Sequence, residues 1–230
     1  MTLHRRKEVY MSSRILTRTL SILTGVLFTL FFISFGVIVA INWKGLYYHD
    51  MKALKISETS GYSEEVIREN YDALIEYCSP FFDGELSFPT LSSSPAGIQH
   101  FAEVKAIFVT FYYLLAITLV LLVPLFIFGW KRKYFINLKV SAITTVVLPL
   151  LVGLACSINF DQAFVLFHKI FFRNDYWLFD PMTDPIINLL PSEFFLHCAI
   201  VIIAIVLAGG FLQYLAYRIF QRRTQSPLRD

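Results

Sequence analysis

The sequence predicts an all-α integral membrane protein: four transmembrane helices with an extracytoplasmic cap of helices and loops. Three observations predict it. The 230 residues are 56% hydrophobic, 17% aromatic and only 16% charged, against about 25% charged in average soluble proteins. Four stretches are long, apolar and almost free of charge. Basic and acidic residues are segregated along the chain in step with those stretches. Together these exclude a disordered chain, a disulfide scaffold and an ordinary soluble enzyme.

Each span follows from run length, because a bilayer core needs about 20 consecutive apolar residues. Residues 1–19 form a tail carrying Arg5, Arg6, Lys7, Arg14 and Arg18. Span 1 is 20–41, without a charge. It exceeds the apolar stretch of a signal peptide, and no small-x-small cleavage site follows, so it reads as a retained helix. Span 2 is 106–129 and span 3 is 140–160, both uncharged, joined by a 130–139 turn with Lys131, Arg132, Lys133 and Lys139. Span 4 is 194–217, with His197 one turn in, and 218–230 is a basic tail.

The charge division sets the topology. The two tails and the 130–139 turn carry 13 Lys+Arg and 2 Asp+Glu, a net of +11. The connections 42–105 and 161–193 carry 7 Lys+Arg and 15 Asp+Glu, a net of −8. Lys and Arg stay in the cytoplasm. Both termini are therefore expected inside a multi-pass cell-membrane protein, with both long connections extracellular. Topology and anionic lipid account for the basic face, so nucleic acid is not an expected partner, whereas membrane lipids are.

The 42–105 connection is too long for a simple loop. An apolar stripe at Ile67, Tyr71, Leu74, Ile75 and Cys78 predicts an amphipathic helix over 63–79. Ser63, Glu64 and Glu65 start it and Ser79-Pro80 stops it. Residues 85–91 read as a short strand or extended segment, and Ser92, Ser93 and Ser94 as a flexible linker. In 161–193, the run from Phe164 to Phe172 is too short to span and too apolar for water, which predicts an interfacial helix. Asp184 as N-cap before Pro185 predicts a short helix over 186–190. Cys78 and Cys198 fall on one side and can pair or stay as buried thiols.

Candidate chemistry centres on histidine. His100 and His168 each sit in an aromatic segment at the depth of lipid ester groups. An imidazole there can exchange protons near neutral pH, or can simply suit the headgroup zone. His49 reads as part of the aromatic belt. Asp180 and Asp184, each before proline, read as turn residues. Asp175, beside Asn174 and near His168, is the acid expected to orient that ring. No metal-ligand spacing, phosphate loop or nucleophile elbow is present in the sequence, so neither metal nor cofactor is expected.

Two stretches carry a resemblance. One is Phe88-Pro89 followed by Gly97-Ile98-Gln99-His100-Phe101-Ala102-Glu103-Val104-Lys105. The other begins Phe167-His168-Lys169-Ile170-Phe171-Phe172-Arg173-Asn174-Asp175-Tyr176-Trp177-Leu178-Phe179-Asp180-Pro181 and closes with Leu190-Pro191-Ser192-Glu193-Phe194-Phe195. They resemble the bacterial lipoprotein intramolecular transacylase family, Lit, four-span membrane proteins of Gram-positive bacteria with both termini inside. The resemblance implies transfer of the sn-2 acyl chain of a diacylglyceryl lipoprotein to the α-amino group of its N-terminal cysteine, leaving a lyso-form lipoprotein. It puts the family's two essential histidines on His100 and His168. Ester-to-amide transfer runs downhill without nucleotide or metal, and one imidazole can serve as base and another as acid. His168 is taken as the base. Asn174, Tyr176 and Lys105 are candidates for holding the oxyanion, with Asp175 and Trp177 beside them at the substrate. The alternative is a non-catalytic envelope-assembly or lipid-binding protein.

Overall fold

A computed structural model describes residues 3–131 and 136–225. The described residues are all-helical, in the order α1 (Leu3–Asn42), α2 (Lys44–Ala53), α3 (Ile56–Ser60), α4 (Glu64–Tyr77), α5 (Pro95–Lys131), α6 (Ile136–Ile158), α7 (Phe160–Phe171), a 3₁₀ turn (Pro185–Leu189) and α8 (Ser192–Gln225). Among the described residues, three helices are long and apolar enough to cross a membrane, over Thr19–Asn42, Pro95–Lys131 and Ser192–Arg222. In α6 the apolar stretch Leu138–Leu151 is shorter. The run read as span 3 does not stay helical to residue 160: α6 ends at Ile158, and Asn159 turns extended to start α7. Part of the 130–139 turn, residues 132–135, and the last five residues of the C-terminal tail lie outside the described residues.

The chain divides into two compact units. The first holds residues 1–33, 114–151 and 203–230. Its helices meet through small residues, as membrane helices do where apolar burial gives no drive to associate. A Cβ on Gly209 would meet the Phe32 ring at 2.5 Å, and one on Gly25 would meet Thr144 Oγ1 at 2.6 Å. A buried polar thread joins three helices: Thr29 and Thr145 hydroxyls lie 3.2 Å apart, and Gln213 Nε2 donates to Thr145 Oγ1 at 3.3 Å.

The second unit holds residues 34–113 and 152–202. Here the cap has a core of its own. Tyr47 stacks on Tyr71 at 3.6 Å between ring centres, and its hydroxyl donates to the Leu189 carbonyl at 2.8 Å. Ile67, Leu74, Phe88, Leu91, Ile186 and Phe194 close around this pair. Ser63 Oγ accepts from Val66 N, so α4 begins on a conventional cap. His197 Nδ1 lies 2.8 Å from the buried Asp50 carboxylate, tying α8 to α2. Cys78 and Cys198 are free thiols, not a disulfide. Burial pushes the Cys78 thiol up to about 12, which leaves it inert.

Residues 85–91 form no strand; they run as irregular chain between α4 and α5. Nor are the serines at 92–94 a free linker. Ser92 Oγ donates to the Thr183 carbonyl at 3.1 Å, Ser94 N donates to Asp184 Oδ1 at 2.7 Å, and Ser93 Oγ donates to the same oxygen at 3.3 Å. Asp184 therefore does not cap its own turn, although it precedes Pro185; its carboxylate is drawn to the start of α5. Thr183 Oγ1 adds a bond at 2.8 Å. Burial opposes ionisation of Asp184, but these donors outweigh it and hold the carboxyl below its usual range. Gly97 is needed at this latch, because a Cβ there would collide with Asp184 Oδ1.

Candidate active site

His168 is delivered by α7. Asn159 Oδ1 accepts from Gln162 N at 3.0 Å and starts the helix. Phe172 turns extended and ends it. Of the helix, His168 is the buried residue, with apolar neighbours Leu166, Ile170 and Phe171 exposed. Its Nδ1 lies 2.8 Å from the Phe164 carbonyl. A carbonyl only accepts, so that hydrogen bond places the proton on Nδ1 and leaves Nε2 as the basic nitrogen of the neutral ring. The orienting group is thus the carbonyl four residues back on the same helix, not Asp175. Asp175 is exposed, and its backbone carbonyl accepts from Leu178 N.

His100 comes from the first turns of α5, residues that precede the uncharged run 106–129. The ring is 4% exposed, and its Nδ1 is buried without a hydrogen-bond partner among the described residues. An unpaired buried nitrogen is uncommon and calls for a reason. The two imidazoles lie 5.9 Å apart between centres, inclined by 29°. Phe172 touches both, at 4.7 Å from His100 and 5.5 Å from His168. Phe179 stands edge-on to His100 at 5.4 Å. Phe164 and Trp177 flank His168 at 4.3 and 4.9 Å.

This enclosure favours neutral rings. Desolvation lowers the His100 pKa to about 4, with His168 adding to the lowering. Desolvation also lowers that of His168, opposed by its bond to the Phe164 carbonyl. Two neutral imidazoles with apolar walls can accept and return a proton; no cluster of three or more metal-binding side chains occurs among the described residues.

A model of the lipoprotein intramolecular transacylase family, Lit, matches residues 22–195. The chain belongs to this family. The in meso structure of the membrane integral lipoprotein intramolecular transacylase Lit from Bacillus cereus is 37% identical, with a TM-score of 0.88 over 91% of this chain and 98% of that one. A structure of the same Bacillus cereus protein with a histidine-to-arginine mutation is 35% identical, with a TM-score of 0.86 over 96% and 98%. Comparison with curated proteins gives no match. The chain is accordingly an acyltransferase of lipoprotein modification and an integral membrane protein.

Within this Lit fold the remaining sequence candidates separate. Trp177 belongs to the enclosure. Asn174 does not point a free amide at the imidazoles: its Nδ2 donates to both Glu103 carboxylate oxygens at 2.9 and 3.2 Å. Lys105 is turned elsewhere, donating to the Phe82 carbonyl at 2.9 Å with its ammonium 4.5 Å from the Tyr77 ring. Tyr176 is exposed and lines an open depression of about 520 Å³ with Pro95, Ala96 and Gln99. Glu103 stands in the first resembling stretch with no role assigned to it there. Its signal was there: it follows His100 by three residues on one helix, which sets both on the same face.

Proposed function

We propose that His168 and His100 carry the transfer of the sn-2 acyl chain of a diacylglyceryl lipoprotein to the α-amino group of its own N-terminal cysteine. The observation that carries this reading is the 2.8 Å approach of His168 Nδ1 to the Phe164 carbonyl oxygen, which makes Nδ1 the donor and leaves Nε2 to take a proton. An α-ammonium has a pKa near 7.7–8.0, so attack requires a base. Nε2 of His168 accepts that proton as the nitrogen forms its bond to the ester carbonyl carbon. The tetrahedral intermediate then collapses, breaking the bond from carbonyl carbon to glyceryl oxygen. The proton held on His168 passes by way of His100 to the leaving glyceryl oxygen, so both imidazoles finish neutral, and the ammonium's other proton is released to solvent. The amide replaces the ester, and the products are the N-acyl, S-monoacylglyceryl lipoprotein alone.

Both reacting groups belong to one substrate, so proximity is built into it and the enzyme has only to fold the headgroup. The aromatic walls suit acyl chains. The division of charge, +11 against −8, supports a site on the outer face of the cell membrane with both termini inside. Tyr176, which lines the depression with Pro95, Ala96 and Gln99, is the oxyanion candidate of the three whose side chain has no hydrogen-bond partner among the described residues. The reaction needs no nucleotide, metal or cofactor.

The test is expression in a bacterium whose lipoproteins keep a free α-amino group, followed by mass spectrometry of a lipoprotein's N-terminal peptide. The expected product has the same acyl mass with one chain moved to nitrogen, and H100A and H168A each abolish it. An unchanged diacyl, free-amine terminus sinks the reading; activity retained in either variant removes that histidine from it.

A further inference from the structure

The two histidine-bearing segments are tied by a polar chain that the reaction does not itself call for. Glu103 lies one turn beyond His100 on α5. Its two oxygens accept from the single Nδ2 of Asn174, at 2.9 and 3.2 Å. Asn174 is fully used. Its Oδ1 accepts from Tyr176 N at 3.1 Å, and its backbone carbonyl accepts from Trp177 Nε1 at 3.1 Å. The Trp177 ring in turn lies 4.9 Å from the His168 imidazole, inclined by 34°.

We infer that Glu103 is a positioning residue for the transfer: by holding Asn174 it folds the 173–177 turn, which keeps Trp177 against His168 and His168 in register with His100. Glu103 touches neither imidazole, so it acts through other groups. An exposed Glu–Asn contact would stabilise little. Here the contact is part-buried, and both Glu103 oxygens are met by one amide group, so the bond is stronger than it would be in water. The span it bridges, from residue 103 to residue 174, joins the helix that carries one histidine to the turn that lies against the other. A shift of about 1 Å in a positioned base costs on the order of 100-fold in rate. This inference rests on His168 acting as the base.

The experiment uses the full chain in lipid vesicles, with a synthetic diacylglyceryl-cysteine lipopeptide as substrate. Trp43→Phe and Trp130→Phe leave Trp177 as the one indole. Protonated imidazole quenches a stacked indole, so Trp177 emission steps with pH as His168 titrates. In E103L that step should vanish or move, and kcat should fall about tenfold or more with KM little changed. E103Q, which keeps an acceptor for Asn174, should hold kcat within about threefold of the parent. N174A should reproduce E103L, and the double variant should be no worse than either single one. The inference is overturned if E103L keeps both kcat and the emission step, if the parent shows no step, or if the two losses multiply. Should E103L not fold, E103Q and N174A decide by the same readouts. A parent inactive on the lipopeptide removes the proposed reaction, and the emission arm still decides the positioning.

Discussion

His168 sits on a twelve-residue helix and is held by that helix's own backbone; His100 sits on a 37-residue helix and is held by what grips the helix's start. In the first case the Phe164 carbonyl selects the tautomer and leaves Nε2 basic. In the second, Nδ1 has no hydrogen-bond partner among the described residues, and the helix start is gripped by Asp184, which accepts from Ser93, Ser94 and Thr183. One ring is set chemically, the other is set only in position. A base must be unprotonated on a known nitrogen before substrate arrives, whereas a group that returns a proton can take its partner from the substrate. The contrast supports the division of labour between the two rings.

The largest expected effect comes from removing what the two arms share. Phe172 is 5% exposed and touches both imidazoles. F172A opens a cavity between them and should cost about 3–5 kcal/mol of stability, read by thermal unfolding in detergent. If the arms depend on this ring, transfer activity falls more than in F171A, where the exposed neighbour is removed.

Breaking one arm should do less. D184A leaves Ser94 N–H and the Thr183 hydroxyl without their acceptor, a loss of about 1–3 kcal/mol. The start of α5 should loosen, read as faster hydrogen exchange over residues 92–98, with α7 unaffected. D184N keeps an acceptor oxygen and should recover part of the protection. Exchange that rises equally in α7 would mean the arms are not separate.

The sequence made the helices legible because their signals are local: uncharged runs, the stripe Ile67–Tyr71–Leu74, the cap at Ser63. It made the two histidines legible through their aromatic surroundings and the family resemblance. What holds the histidines was hidden, for three different reasons. The Phe164 carbonyl is backbone, which every residue carries, so nothing in the sequence marks it. The Asp184 latch and the Glu103–Asn174 bond join residues 90 and 71 apart. Local rules gave Asp184 a cap and Ser92–Ser94 a linker because an Asp before Pro and a run of serines do those things most often. The reading of Asp175 as the orienting acid has a related origin: a carboxylate is visible in sequence and an i−4 carbonyl is not.

The pH dependence sharpens the contrast from the substrate side. Both imidazoles are held neutral by burial, His100 down to about 4. The basic forms therefore persist below the ordinary value near 6.5. The expected kcat/KM rises about tenfold per pH unit up to the α-amine's own pKa near 8, without an inflection at 6.5. Stability has the opposite origin but a related window. The unfolded rings take protons as pH falls through 6.5 while the folded ones do not, so stability declines from about 6.5 towards 4. An inflection at 6.5 in kcat/KM would mean that the enclosure is wetter than its walls imply.

The smallest effect tests the backbone-held arm alone. Asn159 Oδ1 accepts from Gln162 N and is the one side-chain cap on α7. N159A should cost about 1 kcal/mol or less of helix stability, because the cap is exposed to competing donors. N159D keeps the acceptor and adds charge favourable to the helix N-terminus, so it should match the parent. The hydrogen bond that sets the His168 tautomer lies two turns further on, from residue 168 to residue 164. Fraying at the start of α7 should leave it intact, and kcat should change less than twofold in N159A by that small energy. A tenfold loss would show that the tautomer depends on the whole helix rather than on its last turn, and the His168 arm would then be as reliant on distant anchoring as the His100 arm.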